Sequence, residues 1–573
     1  MRFIQPLVVL ALGLPAFAQL APQQKILDFQ NLAALFSKRY AFWEWKQSAV
    51  KYDSLDLTPW IARINASKSD LEFFEICSEY VAANQDGHSI FLLNSDFEAT
   101  LPFDVDLYNG TILVDFVDRK QLPMFDYPVE IGDELVSIDG VSAAETAANL
   151  RRFRGDGNPR TATRDSLEFL TWRPQYLIPR AHELGDSASL VFRKPDGTLL
   201  TLTVPWTKSG NPYTQAGPSP VPRVSATAAE AVPPYMSRLR ALQNFHLPAR
   251  RLSVGMGATL PVFTLPSGFR YRLGLGRYDT ILTGTYTSPG GLTLGFMRIP
   301  DFAYVSSTDL ANEVKYFEAN TDGLVIDVMR NPGGSGCTTE TVLSYLNPGG
   351  FHSAGIQIRM TWDLLLGLEQ DIEWARDYGA TADEIAALEA LVEQGKRAFA
   401  ENRGFTTPQA LCGYSLDVPA ARDRAGNEIA YSKPILLLTD ELSASAAEIF
   451  AAVMQDEKRA LLYGMRTDGA GGAVSQFQAG VYMEAYANLA WSIVVRKNAV
   501  DTGGEFTTMP FIENIGVRPD VVDDYMTAAN LLDAGKGFVE RFTKAMEGYV
   551  AAKRGASSAD PSSASARPLR PRR

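Results

Sequence analysis

Cysteine is scarce in this chain. Cys77, Cys337 and Cys412 are three in 573 residues, so no disulfide framework can hold the fold and at most one bridge can form. No Cys-x-x-Cys pair and no His-Glu-x-x-His run occurs, which removes the ligand spacings of a structural zinc site or a zincin centre, and neither metal nor other cofactor is expected. Basic charge is in deficit: 54 Lys and Arg stand against 66 Asp and Glu, a formal net charge of −12. Binding to nucleic acid needs clustered cations that displace counterions, so no nucleic-acid partner is expected. Long apolar runs are missing as well. After the first residues, no stretch approaches the roughly 20 apolar positions that span a bilayer.

The first residues carry a processing pattern: Arg2, an apolar stretch over Leu7 to Leu14, and Ala16-Phe17-Ala18 as the small-x-small cleavage site. Residues 1–18 therefore read as a signal peptide, and the mature protein is expected to be secreted or extracellular, or periplasmic in a Gram-negative source. From 19 to 95 the apolar spacing is helical, as in Leu32, Leu35 and Phe36. From 96 to 206 strand-like runs such as Thr111 to Val117 alternate with turns such as Pro195-Asp196-Gly197, which predicts a mostly-β module. Residues 207–249, rich in Pro, Gly and Ser, read as a linker. From 250 to 545, short buried runs at Leu324 to Val328 and Pro434 to Thr439 alternate with helical patterns, an α/β layer architecture with a helical insertion near 360–405. The last residues, 546–573, read as a disordered tail.

Two junctions inside the α/β block could carry chemistry. In Ser443-Ala444-Ser445-Ala446-Ala447-Glu448-Ile449-Phe450 an apolar run gives way to small residues and then to a helix, which places a hydroxyl at free N–H groups and the positive end of the helix dipole. Serine is also a favoured N-cap, and on this segment alone capping is the favoured role. In Asn331-Pro332-Gly333-Gly334-Ser335, glycines after a buried run let the backbone turn its N–H groups toward a ligand, as an oxyanion hole or a plain turn requires. A nucleotide loop of the form Gly-x-x-x-x-Gly-Lys-Ser/Thr is absent. A serine hydroxyl needs a base near neutral pH, and the chain has four histidines, His88, His182, His246 and His352. Of these His88 stands in Gln85-Asp86-Gly87-His88-Ser89 at the end of the helical region.

Together, Gln85 to Ser89, Gly323 to Ser335 and Ser443 to Phe450 resemble, in order and spacing, the motifs of the tail-specific, or C-terminal processing, serine peptidases, and Ile131 to Gly140 is similar to the PDZ domain found between the first two. The family's usual members pair the nucleophile with a lysine in a Gly-Lys-Gly segment. In this chain Ala470 occupies that place. Arg466 to Gly472 and Phe511-Ile512-Glu513-Asn514-Ile515-Gly516-Val517 look instead like the branch of tricorn-like peptidases and chlamydial protease-like activity factors, which use Ser, His and Glu. The resemblance implies a multi-domain α/β fold: an N-terminal helical domain carrying the histidine, a PDZ-like module and a ClpP/crotonase-like spiral core. It implies Ser445 as nucleophile, His88 as general base, Glu513 as the carboxylate that orients the base, and Ala446 with Gly333 or Gly334 as oxyanion donors. The expected activity is serine endopeptidase cleavage of proteins or peptides, engaged through the PDZ-like module by their C-terminus. The alternative is a catalytically silent peptide-binding protein on the same scaffold.

Overall fold

The computed structural model describes residues 19–214, 256–276, 278–413 and 415–559. The expected leader, most of the 207–249 linker and the end of the tail lie outside these residues.

Helical periodicity near the N-terminus yields four helices, Pro22–Arg39, Trp43–Ala49, Thr58–Ala66 and Asp70–Ala82. The fourth is started by Ser69, whose Oγ accepts the Glu72 N–H at 3.1 Å and satisfies one of the helix's orphan donors. Their apolar faces bury Phe29, Phe36, Phe74 and Tyr80 together with Ala487, Leu489 and Ile515 from far along the chain. The strand Ile90–Leu93 then pairs antiparallel with Ala485–Ala490, which pairs in turn with Val474–Gln478. The helical region is thus stitched to the α/β block by a shared core and a shared sheet, and His88 lies at that seam.

The second module has the strand order Phe103–Tyr108, Thr111–Val117, Glu134–Ile138, Ser187–Arg193, Leu199–Pro205, antiparallel throughout. It also contains two helices, Ala143–Leu150 and Pro159–Thr171, that periodicity does not signal. The second of these buries Thr161, Arg164, Asp165 and Ser166 beside Ala162, Leu167, Phe169 and Leu170, so polar residues interrupt the apolar pattern of its inward face.

Among the described residues the α/β block is built on a seven-stranded sheet in the order Arg270–Leu273, Leu282–Thr287, Thr293–Arg298, Gly323–Asp327, Ile435–Thr439, Ala460–Gly464, Val521–Val522. The pairs from Thr293–Arg298 onward are parallel. Helices Ser307–Asn320, Gly336–Ser344 and Ala446–Asp456 cover one face, and the strands read as unbroken apolar runs because both faces are buried. The opposite face is covered by the helix Lys536–Ala559, whose Phe538, Phe542, Met546 and Val550 pack with Val325, Leu436 and Leu438. This corrects the expectation of a disordered tail from 546: the apolar stripe recurring every four residues runs on to Val550, and the helix continues to Ala559. The expected insertion is a pair of helices, Trp362–Asp377 and Ala382–Ala400, the second started by a Thr381–Glu384 capping box. One disulfide, Cys337–Cys412, ties the first turn of Gly336–Ser344 to the segment that follows this insertion, and Cys77 is free and buried.

Candidate active site

The parallel strands Gly323–Asp327 and Ile435–Thr439 lie side by side, Asp327 opposite Leu438, so both of the junctions singled out above leave the sheet at the same rim. The carboxyl ends of parallel strands are where ligand sites form in open α/β sheets. The Ala444 N–H donates to the Asn331 carbonyl at 2.9 Å, which joins the two loops directly. A Cβ added at Gly333 would sit 2.6 Å from Ser445 Cβ and 2.7 Å from Ala446 N, and the φ of Gly333 is +97°. Only glycine permits both that backbone and that approach.

Ser445 is the first residue of the turn into Ala446–Asp456, with φ 54° and ψ −118°. An ordinary N-cap has extended backbone, so capping does not account for this conformation. A non-glycine residue held at positive φ stores strain that surrounding bonds must over-determine. Glu448, fully buried, provides them: its Oε2 accepts the N–H groups of Ala470 at 2.8 Å and Ser445 at 3.1 Å, and its Oε1 accepts from Gly469 N–H at 2.7 Å and Thr467 Oγ1 at 2.6 Å. Burial pushes this carboxyl up to about 7, against the four donors, which favour its charged form. Ser443, the other serine of the motif, is buried, and its Oγ donates to the Val328 carbonyl at 2.8 Å. Its hydroxyl is structural.

Gly333 and Gly334 divide their roles. The Gly333 N–H is taken by Asn331 Oδ1 at 2.8 Å. The Gly334 bridge to Phe302 uses Phe302 N–H to the Gly333 carbonyl at 2.7 Å and Ser335 N–H to the Phe302 carbonyl at 2.9 Å, which leaves the Gly334 N–H outside the ladder. Gly334 is exposed, with φ +144°, and of the two glycines it is the one whose N–H is not taken by Asn331.

His88 reaches this rim through the segment Arg466–Gly472. A Cβ at Gly87 would lie 3.4 Å from Ala470 Cβ, and Ala470 shares Glu448 with Ser445. The residue in the lysine position is thus packed against the histidine loop. Asp86 shapes that loop, accepting the His88 N–H at 2.9 Å and the Ser89 Oγ–H at 2.7 Å. Burial lowers the His88 imidazole below its usual 6.5, Asp86 opposes this and Lys46 reinforces it, so His88 is neutral and able to accept a proton near neutral pH. Its Nδ1 is buried with no hydrogen-bond partner. His182 contacts Gln175, His352 contacts Asp417 at 2.8 Å on the surface, and His246 lies outside the described residues.

Glu513 is fully buried on the same segment, its Oε2 accepting the Gly471 N–H at 3.0 Å and its Oε1 paired with Lys46 Nζ. Burial, with Asp86 adding, pushes it up to about 8, while Lys46 and the Gly471 N–H pull it down. Ser445, the His88 loop and Glu513 thus converge on Arg466–Gly472. A hydrogen bond between Glu513 and His88 is not made. Lys46, Asp86 and Glu448 were not assigned roles from sequence. The Ser445-x-x-Glu448 spacing of a capping box was a readable signal for one of them, and Asp86 stood inside the histidine motif. Lys46, in Trp43-Glu44-Trp45-Lys46, had no signal.

Residues 293–522 match the model of peptidase family S41, and residues 97–215 match that of a PDZ domain. The chain is a serine-type peptidase with a PDZ domain. A Chlamydia trachomatis protein is 24% identical over 577 aligned residues, covering 88% of each chain. A carboxyl-terminal-processing protease of Synechocystis is 23% identical over 290, covering 50% of this chain and 52% of its own. The crystal structure of mature CPAF superposes with a TM-score of 0.72 at 21% identity, covering 93% of this chain and 98% of that one, which is the same fold.

Proposed function

We propose that this chain is an exported serine endopeptidase that cleaves proteins or peptides through Ser445, His88 and Glu513. The strained turn at Ser445, braced by Glu448 and fitted against Gly333, is the observation that carries the reading. Ser445 Oγ attacks the peptide carbonyl carbon while His88 takes the hydroxyl proton; the Ala446 and Gly334 N–H groups hold the oxyanion. His88 then gives the proton to the departing amine, and water, activated by the same imidazole, releases the acyl group. Glu513 serves by stabilising the imidazolium at Nδ1, which requires a side-chain shift that frees one carboxylate oxygen. Catalytic hydrogen bonds often tighten only with substrate bound. A fluorophosphonate probe should label the wild type and spare Ser445→Ala. Absence of labelling in a folded preparation without peptidase activity would favour the silent peptide-binding alternative.

Engagement of substrates by their C-terminus would use the groove between Phe103–Tyr108 and Pro159–Thr171. A cavity of about 90 Å³ there is lined by Asp104, Asp106, Asp115 and Asp165, and its Arg164 is paired with Asp106 at 2.6 Å. An incoming carboxylate must compete with Asp106 for that guanidinium. If it does, amidating a substrate's C-terminus raises KM; an unchanged KM removes this route. For the compartment, the partly exposed disulfide Cys337–Cys412 supports an oxidising one, since such bonds are reduced in the cytosol. N-terminal sequencing of the active protein should begin near Gln19, and an active form retaining Met1 would overturn export.

A further inference from the structure

We propose that Lys46 is a positioning residue for catalysis, the counter-ion of Glu513 that locks it to the loop carrying His88. The inference rests on the triad reading above.

Lys46 lies on Trp43–Ala49 with its side chain 1% exposed. An ammonium has three hydrogens to donate, and all three are used: on Glu513 Oε1, on Asn514 Oδ1 at 2.7 Å and on the Gln85 carbonyl at 2.8 Å. Gln85 directly precedes Asp86-Gly87-His88, and Asn514 directly follows Glu513. One buried cation therefore ties the turn bearing the base to the turn bearing the carboxylate. Both turns are held at positive φ by non-glycine residues, Gln85 at 49° and Asn514 at 60°, and Asn514 Nδ2 donates to the same Gln85 carbonyl at 3.0 Å. Such backbone persists where neighbouring bonds fix it.

The electrostatics point the same way. The groups facing Glu513 are Lys46 from the second helix, Asp86 from the histidine loop and Tyr40 from the turn before the second helix. Asp86 opposes ionisation of Glu513, Tyr40 is kept neutral by burial and by the two carboxylates, and Lys46 is the one cation among these groups. A buried carboxylate without a counter-charge takes up a proton instead. A protonated Glu513 could not stabilise imidazolium. Lys46 also lowers His88, so removing the ammonium moves both groups upward.

The test is the pH dependence of kcat/KM for Lys46→Met, with Lys46→Gln as a second charge-removing variant that keeps hydrogen-bonding capacity should the first fail to fold. The acid limb is expected to move upward by at least about one pH unit, with activity at pH 7 lowered at least tenfold and partly regained near pH 9, because each unit below the pKa costs about tenfold in the ionised form. Lys46→Arg should keep the limb near its wild-type position. A folded charge-removing variant whose activity falls equally at every pH, or not at all, overturns the inference. The triad reading is tested separately by Glu513→Gln, since retained turnover there removes the reading itself. If Lys46 acts through this triad, adding Lys46→Met to Glu513→Gln lowers the high-pH plateau no further. A further large drop would place the role of Lys46 elsewhere and overturn the inference alone.

Discussion

Ser445→Ala is expected to lower kcat by about 10⁶-fold, the scale of loss when a serine protease triad is deprived of its nucleophile. That is about 8 kcal/mol of transition-state stabilisation, far beyond what an altered cap or surface contact supplies. The fold should survive, because what Glu448 accepts at this position is the backbone N–H of residue 445, which alanine retains. Ser443 cannot take over, being buried and donating to the Val328 carbonyl. Initial rates on a peptide substrate, read beside thermal melts, decide the matter. A folded Ser445→Ala within tenfold of wild type would remove Ser445 as the nucleophile.

The order of layers was legible because it follows from apolar period. Leu324–Asp327 and Ile435–Thr439 are unbroken apolar runs ending in polar residues, and those runs became adjacent parallel strands whose ends define the rim. The serine and glycine junctions were legible for the same reason: each follows such a run, and the chain must turn there. What joins them was not legible. Glu448 meets Gly469 and Ala470, and Glu513 meets Gly471, through backbone N–H groups, which carry no residue code, and Lys46 meets Glu513 across 467 residues of chain. The tail boundary was missed for a different reason. Alanine, serine and charged residues after Met546 look like a solvated end, yet Val550 continues the stripe begun at Phe538, and one buried contact per turn suffices to dock a helix that its composition already permits. The helix Pro159–Thr171 shows the converse, a buried element in which ion pairs of Arg164 with Asp106 and Glu441 stand among Leu167, Phe169 and Leu170 and break the apolar pattern.

Glu513→Gln is expected to lower kcat by about 10⁴-fold and to fold with a lowered melting temperature, since the side chain keeps its shape but its amide NH2 must face one of the two donors, Lys46 or the Gly471 N–H. The loss, about 5 kcal/mol, is that of the charge that stabilises imidazolium and sets the tautomer of His88. The pH profile gives the same variant a second, independent readout. In the wild type the carboxyl of Glu513 is pushed up to about 8 by burial and by Asp86, and the imidazole of His88 is lowered below 6.5. The active form needs Glu513 deprotonated and His88 neutral, so kcat/KM falls as pH is lowered through each of them, the higher one first. The wild-type acid limb is therefore expected near 8 and governed by Glu513. In Glu513→Gln that titration no longer exists. The remaining limb should belong to His88 and lie below 6.5, on a plateau some four orders of magnitude lower. If the variant keeps its wild-type limb and its wild-type turnover, Glu513 is a structural partner of Lys46, and His88 is oriented by another group, for which Asp86, bonded to the backbone N–H of His88, is a candidate.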